Sequence, residues 1–484
     1  MKRRTFIASA ASSLAMATGS HAATDKSQFR QSAADTILIR NGVIVPMDGK
    51  NRTLYDQAVL IEGNRIAAIG DAAELMDKHV IDSVIDAGGK AVMPGFVNAH
   101  THTADVVMRG LAEDMDHIEY SELAGSIEVA LNEEDKQCFA RLGSIELLKF
   151  GNTCVNELGA ISQEATAQAF HDTGIRGIVA PDITDISEDL EAFATGIFTP
   201  DAAFKKKKIA EAVEILDKWH VNEESLVTVR LANYIPTICT EETLKETKAL
   251  ADDYGTGVNS HAGFGEGASY RERFKKSEMA YLADIGYLDK NTALIHMLKT
   301  EEDEFKPFKE SGAWMVHCPF EMAKRGMSAS MDSIYKAGVN VALGSDWLMF
   351  DPFEQMRYAA VVARLSSGDM GIKKAYDFLA MATILSAEAL GLDDEIGSLE
   401  VGKKADIILV DFDQAHISPM NKRYDLVTNL VYNAHGSDVT TVIVDGKVVV
   451  NNGKITTIDE AETVHDANQR SDIAIARSVG KTSA

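Results

Sequence analysis

Between about residues 96 and 390, short apolar runs alternate with longer stretches whose apolar residues recur at helical spacing. Eight apolar runs can be counted, and each one after the first follows a helical stretch. In chain order they are "GFVNAHTH", "TCVNELG", "IRGIVAPDI", "SLVTVRLANYI", "GVNSHAG", "TALIHM", "AWMVHCP" and "VNVALGSDW". Eight strand–helix units within about 290 residues predict a (β/α)8 TIM barrel, which is an α/β fold.

Both ends of the chain differ from this region, because they contain short β-branched runs separated by tight-turn pairs. "DTILIRNGVIVPMD" and "QAVLIEGNRIAAIG" lie within residues 34–95, whereas "GKKADIILVDFD" and "VTTVIVDGKVVVNNGKITTID" follow residue 391. We therefore expect residues 34–95 and 391–456 to form one small β-sandwich domain beside a barrel of residues 96–390. Residues 457–484 are polar and charged, and we expect them to form a loosely held C-terminal tail.

The first 22 residues have the pattern of an export signal. Arg3 and Arg4 precede an alanine-rich apolar stretch that ends in the small-x-small sequence Ser20-His21-Ala22. Paired arginines are typical of the twin-arginine route, so we expect a periplasmic protein. The alternative is that the segment is retained as an N-terminal anchor. No run of about 18 apolar residues follows it, so we expect no membrane span after its removal.

The charge balance argues against a nucleic-acid partner. The chain has 48 Lys and Arg residues against 73 Asp and Glu residues, and its formal net charge is -25. Phosphate backbones are bound by basic surfaces, which this composition does not favour. We expect a small-molecule substrate instead, and the sequence leaves open whether the chain forms a homo-oligomer.

Metal-binding and ionisable side chains stand at the ends of several predicted strands. They are His100 and His102 in strand one, His261 in strand five, His296 in strand six, His317 in strand seven and Asp346 in strand eight. The active site of a (β/α)8 barrel lies at the carboxyl ends of its strands, so these side chains are expected on one face. His100 and His102 also share a side of their strand, because residues i and i+2 point the same way.

Imidazole nitrogens and a carboxylate oxygen suit Zn²⁺ or Fe²⁺ with one open coordination position. Such an ion lowers the pKa of water towards neutrality and so supplies a nucleophile. The carboxylate of Asp346 can bind the ion and also take the proton of that water. The pattern therefore favours a hydrolase that uses a divalent ion, for which Zn²⁺ is the first choice and Fe²⁺ the alternative.

Several motifs resemble those of the amidohydrolase superfamily. They are, in this order, "PGFVNAHTH", "SHAG", "LIHM", "HCP", "GSDW" and "IGSLEVGKKADIILVD". The stretches "MRGLAEDMD", "ELLKFGNTCVNELG", "CTEETL" and "MATILSAEALGL" resemble the branch that contains cytosine deaminase, S-adenosylhomocysteine deaminase and the triazine hydrolases. The resemblance covers nearly all of residues 35–456. It implies an enzyme that binds one metal ion and hydrolyses a C–N bond, or in some members a C–Cl bond, at an amidine-like ring carbon.

Carried over position by position, the resemblance implies that the metal ligands are His100, His102, His261 and Asp346. His296 is then expected to hydrogen-bond the attacking water or the developing tetrahedral centre. Members with two metal ions usually carry a carboxylated lysine at the end of strand four. This strand, "SLVTVRLANY", has no lysine, so one metal ion is expected.

The chain departs from this branch at three positions around the expected substrate pocket. The glutamate that usually shuttles protons, three residues after the strand-five histidine, is replaced by Phe264. Glu266 is the candidate to take that role, and the alternative is that it faces solvent. Tyr234 stands where the branch often has a histidine after strand four. The usual "HCPxSN" motif reads "HCPFEM", which places Glu321 shortly after His317.

Together these features predict a metal-dependent amidohydrolase that releases ammonia or an amine from a small nitrogenous, heterocyclic compound. The candidate residues fall into three groups by role: catalytic Asp346, His296 and Glu266; metal-binding His100, His102, His261 and Asp346; substrate-binding Tyr234, His317 and Glu321. Two alternatives stay open, a member of the branch that removes chlorine or hydrolyses an amide, and an exported binding protein that has lost catalysis. Phe264 is the best support for the second alternative.

Overall fold

The computed structural model describes residues 35–115, 117–187, 190–222 and 224–481 of the 484-residue chain. The predicted export signal, residues 1–22, lies outside the described residues. Across the described ranges, no helix has both the length and the apolar character needed to cross a membrane.

An N-terminal β segment precedes the barrel. Its elements are β1 (Thr36–Arg40), β2 (Val43–Ile44), β3 (Ala58–Glu62), β4 (Arg65–Gly70), α1 (Ala72–Lys78), β5 (Ser83–Asp86) and β6 (Lys90–Pro94). Four of these strands form a sheet in the order β4, β3, β1, β5, in which β1 pairs antiparallel with β3 and parallel with β5. β-branched residues such as Ile37 and Ile39 favour the strands, and their side chains pack in the core of this domain.

The barrel strands begin directly after β6. They are β7 (Phe96–Thr101), β8 (Asn152–Leu158), β9 (Arg176–Ala180), β10 (Val227–Val229), β11 (Leu231–Ala232), β12 (Val258–Ala262), β13 (Thr292–His296), β14 (Trp314–His317) and β15 (Asn340–Leu343). The pairs within each of the two barrel sheets are parallel. Parallel bridges from Asp182 to Ala232 and from Thr101 to Asp346 join the two sheets into a closed barrel. The predicted (β/α)8 fold is confirmed, with β10 and β11 as two halves of strand four.

Helices connect the barrel strands. They are α2 (His117–Ala130), α3 (Glu133–Lys149), α4 (Gln163–Thr173), α5 (Leu190–Thr195), α6 (Ala202–Trp219), α7 (Glu241–Tyr254), α8 (Gly267–Phe274), α9 (Glu278–Asp284), α10 (Glu302–Ser311), α11 (Pro319–Lys324), α12 (Met331–Ala337), α13 (Pro352–Ser367), α14 (Ala375–Met381) and α15 (Ile384–Leu390), with 3₁₀ turns at Thr103–Met108 and Pro236–Ile238. Local signals set their ends. Asn132 and Asp135 form a capping box at the start of α3, and Gly174 ends α4 in the left-handed conformation.

The fourth barrel strand is interrupted at Arg230, whereas the sequence pattern suggested one continuous run. On either side of the interruption, β10 pairs with β9 and β11 pairs with β12. The Arg230 side chain is buried, and it donates to Asn259 Oδ1 and to the backbone oxygen of Leu390, both at 3.0 Å. A buried guanidinium is costly unless its donors are bonded. These bonds therefore stabilise the point at which strand four changes its partner.

A C-terminal β segment completes the small domain. Its elements are β16 (Ile407–Asp411), α16 (Leu426–Asn433), a 3₁₀ turn at Gly436–Asp438, β17 (Val439–Val444), β18 (Lys447–Asn451) and β19 (Lys454–Ile455). They form a sheet with two N-terminal strands in the order β19, β18, β17, β16, β6, β2, and β16 runs antiparallel to β6. Side chains from both sheets, including Ile37, Val59, Val92 and Ile407, pack in one core. The expected small β domain built from both ends of the chain is confirmed.

The described chain ends in α17 (Glu460–Lys481), which packs against the barrel. Ala467 and Ala474 are buried in the main core. Arg470 and Arg477 both pair with the Asp135 carboxylate, at 2.6 and 3.3 Å. The expectation of a loosely held tail is therefore wrong. Small apolar residues seven positions apart form a narrow stripe on an otherwise polar helix, and the polar composition concealed that stripe.

A buried ion pair joins the barrel to the small domain. Arg176 is the first residue of β9, and Asp406 directly precedes β16. The guanidinium donates from Nε to Asp406 Oδ2 at 2.9 Å and from Nη2 to Oδ1 at 3.0 Å. The two side chains are only 8% and 2% exposed, so water does not compensate either charge when the partner is lost.

Replacing Arg176 by methionine is expected to lower the free energy of unfolding by about 3–5 kcal/mol, because Asp406 then carries a buried charge without a partner. Denaturant unfolding followed by tryptophan fluorescence measures this loss. Lys78→Met is the control, since Lys78 pairs with Glu74 at 3.0 Å on an exposed helix face, where such pairs contribute about 0–1 kcal/mol. Equal losses in the two variants would contradict the anchoring role of Arg176.

Candidate metal centre

The first and last barrel strands meet where three of the candidate residues lie. Asp346 N donates to the backbone oxygen of His100 at 2.9 Å, and His102 N donates to the Asp346 backbone oxygen at 3.3 Å. A Cβ on Gly344 would lie 3.0 Å from the backbone nitrogen and oxygen of His100, so the close approach favours glycine. The hydrogen bonds that close the barrel thus place His100, His102 and Asp346 beside one another.

Four imidazoles and one carboxylate converge at this junction. Nε2 of His100 and of His102 lie 3.4 and 3.3 Å from Asp346 Oδ1. Nε2 of His296 lies 3.6 Å from Asp346 Oδ2, and Nε2 of His261 lies 3.3 Å from that of His100. The structure therefore brings together the predicted metal ligands and the histidine expected to contact the attacking water.

Three of the pair distances in the cluster are close to those between ligands of a single metal ion. Ligand atoms about 2.1 Å from one tetrahedral ion lie roughly 3.4 Å from each other. The contacts from His100 and His102 to Asp346, and from His261 to His100, have nearly this length. Two imidazole nitrogens that face each other can share only one proton, whereas a cation between them satisfies both. Nitrogen donors with one carboxylate oxygen suit Zn²⁺ or Fe²⁺.

His261 is oriented by the end of strand four. Its Nδ1 lies 3.1 Å from the backbone oxygen of Tyr234. The Tyr234 ring also contacts the imidazole edge-on, with ring centroids 4.9 Å apart. A proton on Nδ1, donated to that oxygen, leaves Nε2 unprotonated and able to bind an ion. Tyr234 therefore lies at the site and positions one of the candidate ligands.

His296, the last residue of β13, and Asp346, shortly after β15, have an uncommon backbone conformation. Their φ angles are +79° and +58°, in the left-handed region that residues with a Cβ rarely adopt. Such conformations cost about 1–3 kcal/mol each and persist where the surrounding structure imposes them, often at functional sites. Two members of the cluster thus adopt a backbone conformation that the surrounding structure must impose.

Burial and neighbouring charges decide the protonation of the cluster. Burial lowers the pKa of His296 to about 3, although Asp346 opposes the shift. Burial disfavours a charge on His102 too, but its hydrogen bond to Asp346 and the charges of Asp105 and Glu157 raise its pKa to about 9. Burial alone would raise the pKa of Asp346, yet the imidazoles hold that pKa well below its usual range. Asp346 is therefore ionised, which is the form that binds a cation.

A buried carboxylate that the sequence reasoning missed supports the segment after strand one. Glu157 lies near the end of β8, is 1% exposed, and accepts hydrogen bonds from Thr103 N at 2.8 Å and from the Thr103 hydroxyl. Because Thr103 directly follows His102, these bonds fix the backbone that aims the His102 imidazole. A strand-end carboxylate in "NELG" was the signal that could have identified it, by the same rule that located the histidines.

Position 264 faces the metal centre, whereas Glu266 is held within its own loop. The Phe264 ring lies edge-on to the His296 ring, with centroids 4.9 Å apart. Glu266 is 4% exposed and accepts a hydrogen bond from Gly265 N at 2.8 Å. The alternative that Glu266 faces solvent is therefore wrong, and the described structure shows its carboxylate bonded to backbone.

His317 and Glu321 have different surroundings. His317 ends β14, and its buried Nε2 has no hydrogen-bond partner among the described residues. Burial lowers the pKa of His317 to about 4, so its imidazole is neutral. The Glu321 side chain is fully buried and pairs with Lys324 at 2.7 Å and with Arg325 at 2.5 Å. His317 thus has a nitrogen available to a ligand, whereas the Glu321 carboxylate is occupied by two cations.

Comparison with known proteins agrees with this geometry. Residues 91–449 match the profile of the Amidohydrolase family, and residues 58–79 match that of the imidazolonepropionase-like composite domain of bacteria. The chain belongs to the amidohydrolase family.

Its relatives include deaminases of similar length. It is 31% identical to 5-methylthioadenosine/S-adenosylhomocysteine deaminase of Thermoanaerobacter pseudethanolicus, over 91% of this chain and 100% of that protein. It is 30% identical to 5'-deoxyadenosine deaminase of Methanosarcina acetivorans, over 91% and 99% of the two chains. The crystal structure of a zinc-bound adenosine deaminase from Xanthomonas campestris matches with a TM-score of 0.83 and 26% identity. The match covers 92% of this chain and 99% of that chain. Atrazine chlorohydrolase from Arthrobacter aurescens TC1 shares the fold at 22% identity, with a TM-score of 0.79. That match covers 90% of this chain and 100% of the other.

These similarities confirm the predicted family branch and the class of reaction. This amidohydrolase is a metal-dependent hydrolase that acts on carbon–nitrogen bonds outside peptides. The ligand atoms of two residue groups, His100 with His102 and His261, and His100 with His296 and Asp346, lie within 4.8 Å of one another in each group. The family and the geometry thus agree on a metal site at the barrel junction.

Glu157→Gln is expected to weaken zinc binding by about 10–100-fold, because the amide no longer offers two acceptor oxygens to Thr103. Competition with a chromophoric chelator measures the affinity. The control is Glu304→Gln, since Glu304 is also buried and accepts from Glu301 N at 2.8 Å, but outside the ligand cluster. Wild-type zinc affinity in Glu157→Gln, or equal weakening in the control, would be inconsistent with support of His102 by Glu157.

Proposed function

We propose that this amidohydrolase is a zinc-dependent deaminase that replaces the amino group of an adenine-type ring by a hydroxyl group. The observation that carries the proposal is an intact ligand cluster in a chain whose relatives at 30% and 31% identity are named as deaminases. The compounds in those names share adenine, so its exocyclic amino group is their common leaving group. The zinc in the adenosine deaminase from Xanthomonas campestris supports Zn²⁺ over Fe²⁺.

The reaction divides among the residues of the cluster. His100, His102, His261 and Asp346 would hold the divalent ion, which supplies Lewis-acid activation of water. Asp346 Oδ2, the oxygen nearer to His296, takes a proton from the attacking water. His296 Nε2 hydrogen-bonds the oxygen that joins the ring carbon. A carbon–oxygen bond forms, the carbon–nitrogen bond breaks, and the proton leaves with ammonia.

Delivery of that proton to the leaving nitrogen is the step that the sequence departures affect. Phe264 occupies the place of the usual shuttle, and its ring covers His296. We assign delivery to Asp346, with Glu266 as a second carrier. Burial raises the pKa of Glu266, which favours holding a proton. Gly263 and Gly265, with φ angles of +75° and +149°, give the loop conformations open mainly to glycine.

Two polar groups near the ligand cluster are candidates to bind the substrate ring. The buried Nε2 of His317 has no partner among the described residues, so a ring nitrogen or its hydrogen can satisfy it. Tyr234 lies with its ring against His261 and so borders the same space. We propose both as substrate contacts, whereas the pairing of Glu321 with Lys324 and Arg325 gives that carboxylate a supporting role.

Two alternatives have specific support. Phe264 in the shuttle position favours a binding protein that has lost catalysis. The fold shared with atrazine chlorohydrolase is compatible with a different leaving group, although at 22% identity it is evidence of fold alone.

Export to the periplasm also stays a proposal, supported by Arg3, Arg4 and the small-x-small sequence ending at Ala22.

The test is a substrate panel with the zinc-loaded protein. 5'-Methylthioadenosine, S-adenosylhomocysteine, 5'-deoxyadenosine and a chlorinated triazine are scored for ammonia, halide and product mass. Ammonia release from at least one adenine compound is expected, with loss on chelation and recovery on adding zinc. Glu266→Gln is expected to lower kcat, by at most about 10²–10⁴-fold, because Glu266 is the second proton carrier, while Glu304→Gln keeps wild-type turnover.

Each contrary outcome points to a different alternative. Halide release with intact adenine compounds would replace deamination by dechlorination. Tight binding of the panel without product would favour the binding protein. Wild-type turnover in Glu266→Gln would remove Glu266 from proton delivery and leave Asp346 as the carrier.

A further inference from the structure

A group of charged and aromatic side chains, here called the cationic wall, stands beside the metal centre. Its members are Tyr120, Glu321, Lys324, Arg325 and Trp347. Trp347 directly follows Asp346, and its ring meets that of Tyr120 edge-on with centroids 4.6 Å apart. Because Trp347 is the next residue after Asp346 and contacts Tyr120, Lys324 and Arg325, the wall adjoins the segment that carries a candidate metal ligand.

Arg325 is stacked on two aromatic rings of this wall. Its guanidinium carbon lies 5.2 Å from the centroid of Tyr120 and 5.3 Å from that of Trp347. Both distances lie within the range of a cation–π contact. Contacts with the ring faces hold the guanidinium plane in place. The N–H groups on Nε, Nη1 and Nη2, which form a planar fork of donors, stay available for hydrogen bonds.

Glu321 fixes one edge of that fork. The Nε of Arg325 donates to Glu321 Oε1 at 2.5 Å, and Lys324 Nζ lies 2.7 Å from Oε2. The Glu321 side chain is fully buried, while those of Lys324 and Arg325 are 22% and 18% exposed. One carboxylate therefore neutralises one of two cations, and the three side chains together carry one positive charge.

The two terminal nitrogens of the Arg325 guanidinium have no acceptor among the residues that the structure describes. In the described part of the chain, Glu321 is the residue that accepts from the Arg325 side chain, through Nε, so Nη1 and Nη2 have no acceptor. Parallel donors on a held guanidinium match the two oxygens of a carboxylate. Lys324, with its Nζ 4.9 Å from the Trp347 ring centroid, adds a second positive charge nearby.

We propose that Arg325 is a specificity-determining residue that binds a planar anionic group, such as a carboxylate, on the substrate. Glu321 holds Arg325 in place, and Tyr120 and Trp347 provide the apolar surface beside the anion. Glu321 and Arg325 stand four residues apart on one helical turn, so the buried acid and its basic partner form one local unit. The proposal rests on the proposed function for the identity of the reacting ring, but not for recognition of the anion.

Binding of benzoate and of its neutral analogue benzamide to the zinc-loaded protein tests the proposal by calorimetry. The measured quantity is the ratio of the two dissociation constants. Wild type is expected to prefer benzoate, and Arg325→Met is expected to reduce that preference by about tenfold or more, as for the loss of a charged hydrogen bond. Arg325→Lys, which keeps a cation for Glu321, is expected to fall between the two because it lacks the fork.

Arg364→Met is the matched control, because Arg364 also lies over a tyrosine ring, 5.3 Å from the centroid of Tyr432. The control is expected to keep the wild-type preference. The proposal is overturned if both Arg325 variants keep the wild-type preference for benzoate over benzamide. This includes the case in which the preference arises because benzoate binds to the metal alone. Equal weakening of benzoate binding and benzamide binding overturns it as well, since Arg325 then only contributes packing to the cationic wall.

The substrate panel separates this proposal from the proposed deamination. A charge preference that depends on Arg325 supports the anion site even when no adenine compound is deaminated, and only the proposed function is then rejected. Deamination without a charge preference in the binding assay rejects the anion site and leaves the deaminase in place.

Discussion

The backbone hydrogen bonds between the first and last barrel strands are the constraint on which the site depends. They run from Asp346 N to the His100 oxygen and from His102 N to the Asp346 oxygen. A barrel must close somewhere, and here it closes at the carboxyl ends of the strands that carry the ligands. The same hydrogen bonds therefore close the barrel and bring these ligands together, and a fold that failed to close would also lack the site.

Once the strand ends are together, charge decides what the site can hold. One ionised carboxylate, that of Asp346, is surrounded by four imidazoles in a buried space. The Nε2 atoms of His100 and His261 lie 3.3 Å apart, and those of His100 and His102 lie 3.4 and 3.3 Å from the carboxylate, distances typical of shared coordination. For His261 and His296 a bound cation accounts for the contacts better than protonation does, since burial disfavours a charge on either imidazole. The uncommon φ angles of His296 and Asp346 fit a geometry imposed by the surrounding barrel.

Much of this arrangement could be predicted from periodicity. The alternation of helical and apolar stretches predicted the strands, and the rule that barrel chemistry lies at strand ends predicted the histidines and Asp346. The same rule covers Glu157, which lies near the end of β8. The helix at the C-terminus was missed because Ala467 and Ala474 form a narrow stripe among charged residues. The Arg470 and Arg477 contacts with Asp135 are tertiary and have no local signal.

The surroundings of the ligands were less predictable, since loop conformation and side-chain partners depend on the whole fold. Spacing alone could not show that the Phe264 ring lies against His296 while the Glu266 carboxylate binds its own loop. Glu321 was expected to contact substrate, but its two basic partners lie three and four residues further along the same helical turn. Such pairs can be recognised only when burial is known, because an exposed i, i+4 pair has the same sequence pattern.

An anomalous difference map from zinc-loaded crystals, recorded at the zinc edge, tests the central claim most directly. One peak is expected in the barrel, at about 2.0–2.2 Å from the ligand atoms of His100, His102, His261 and Asp346. Two peaks in that space, or a single peak beyond bonding distance of these residues, would contradict it.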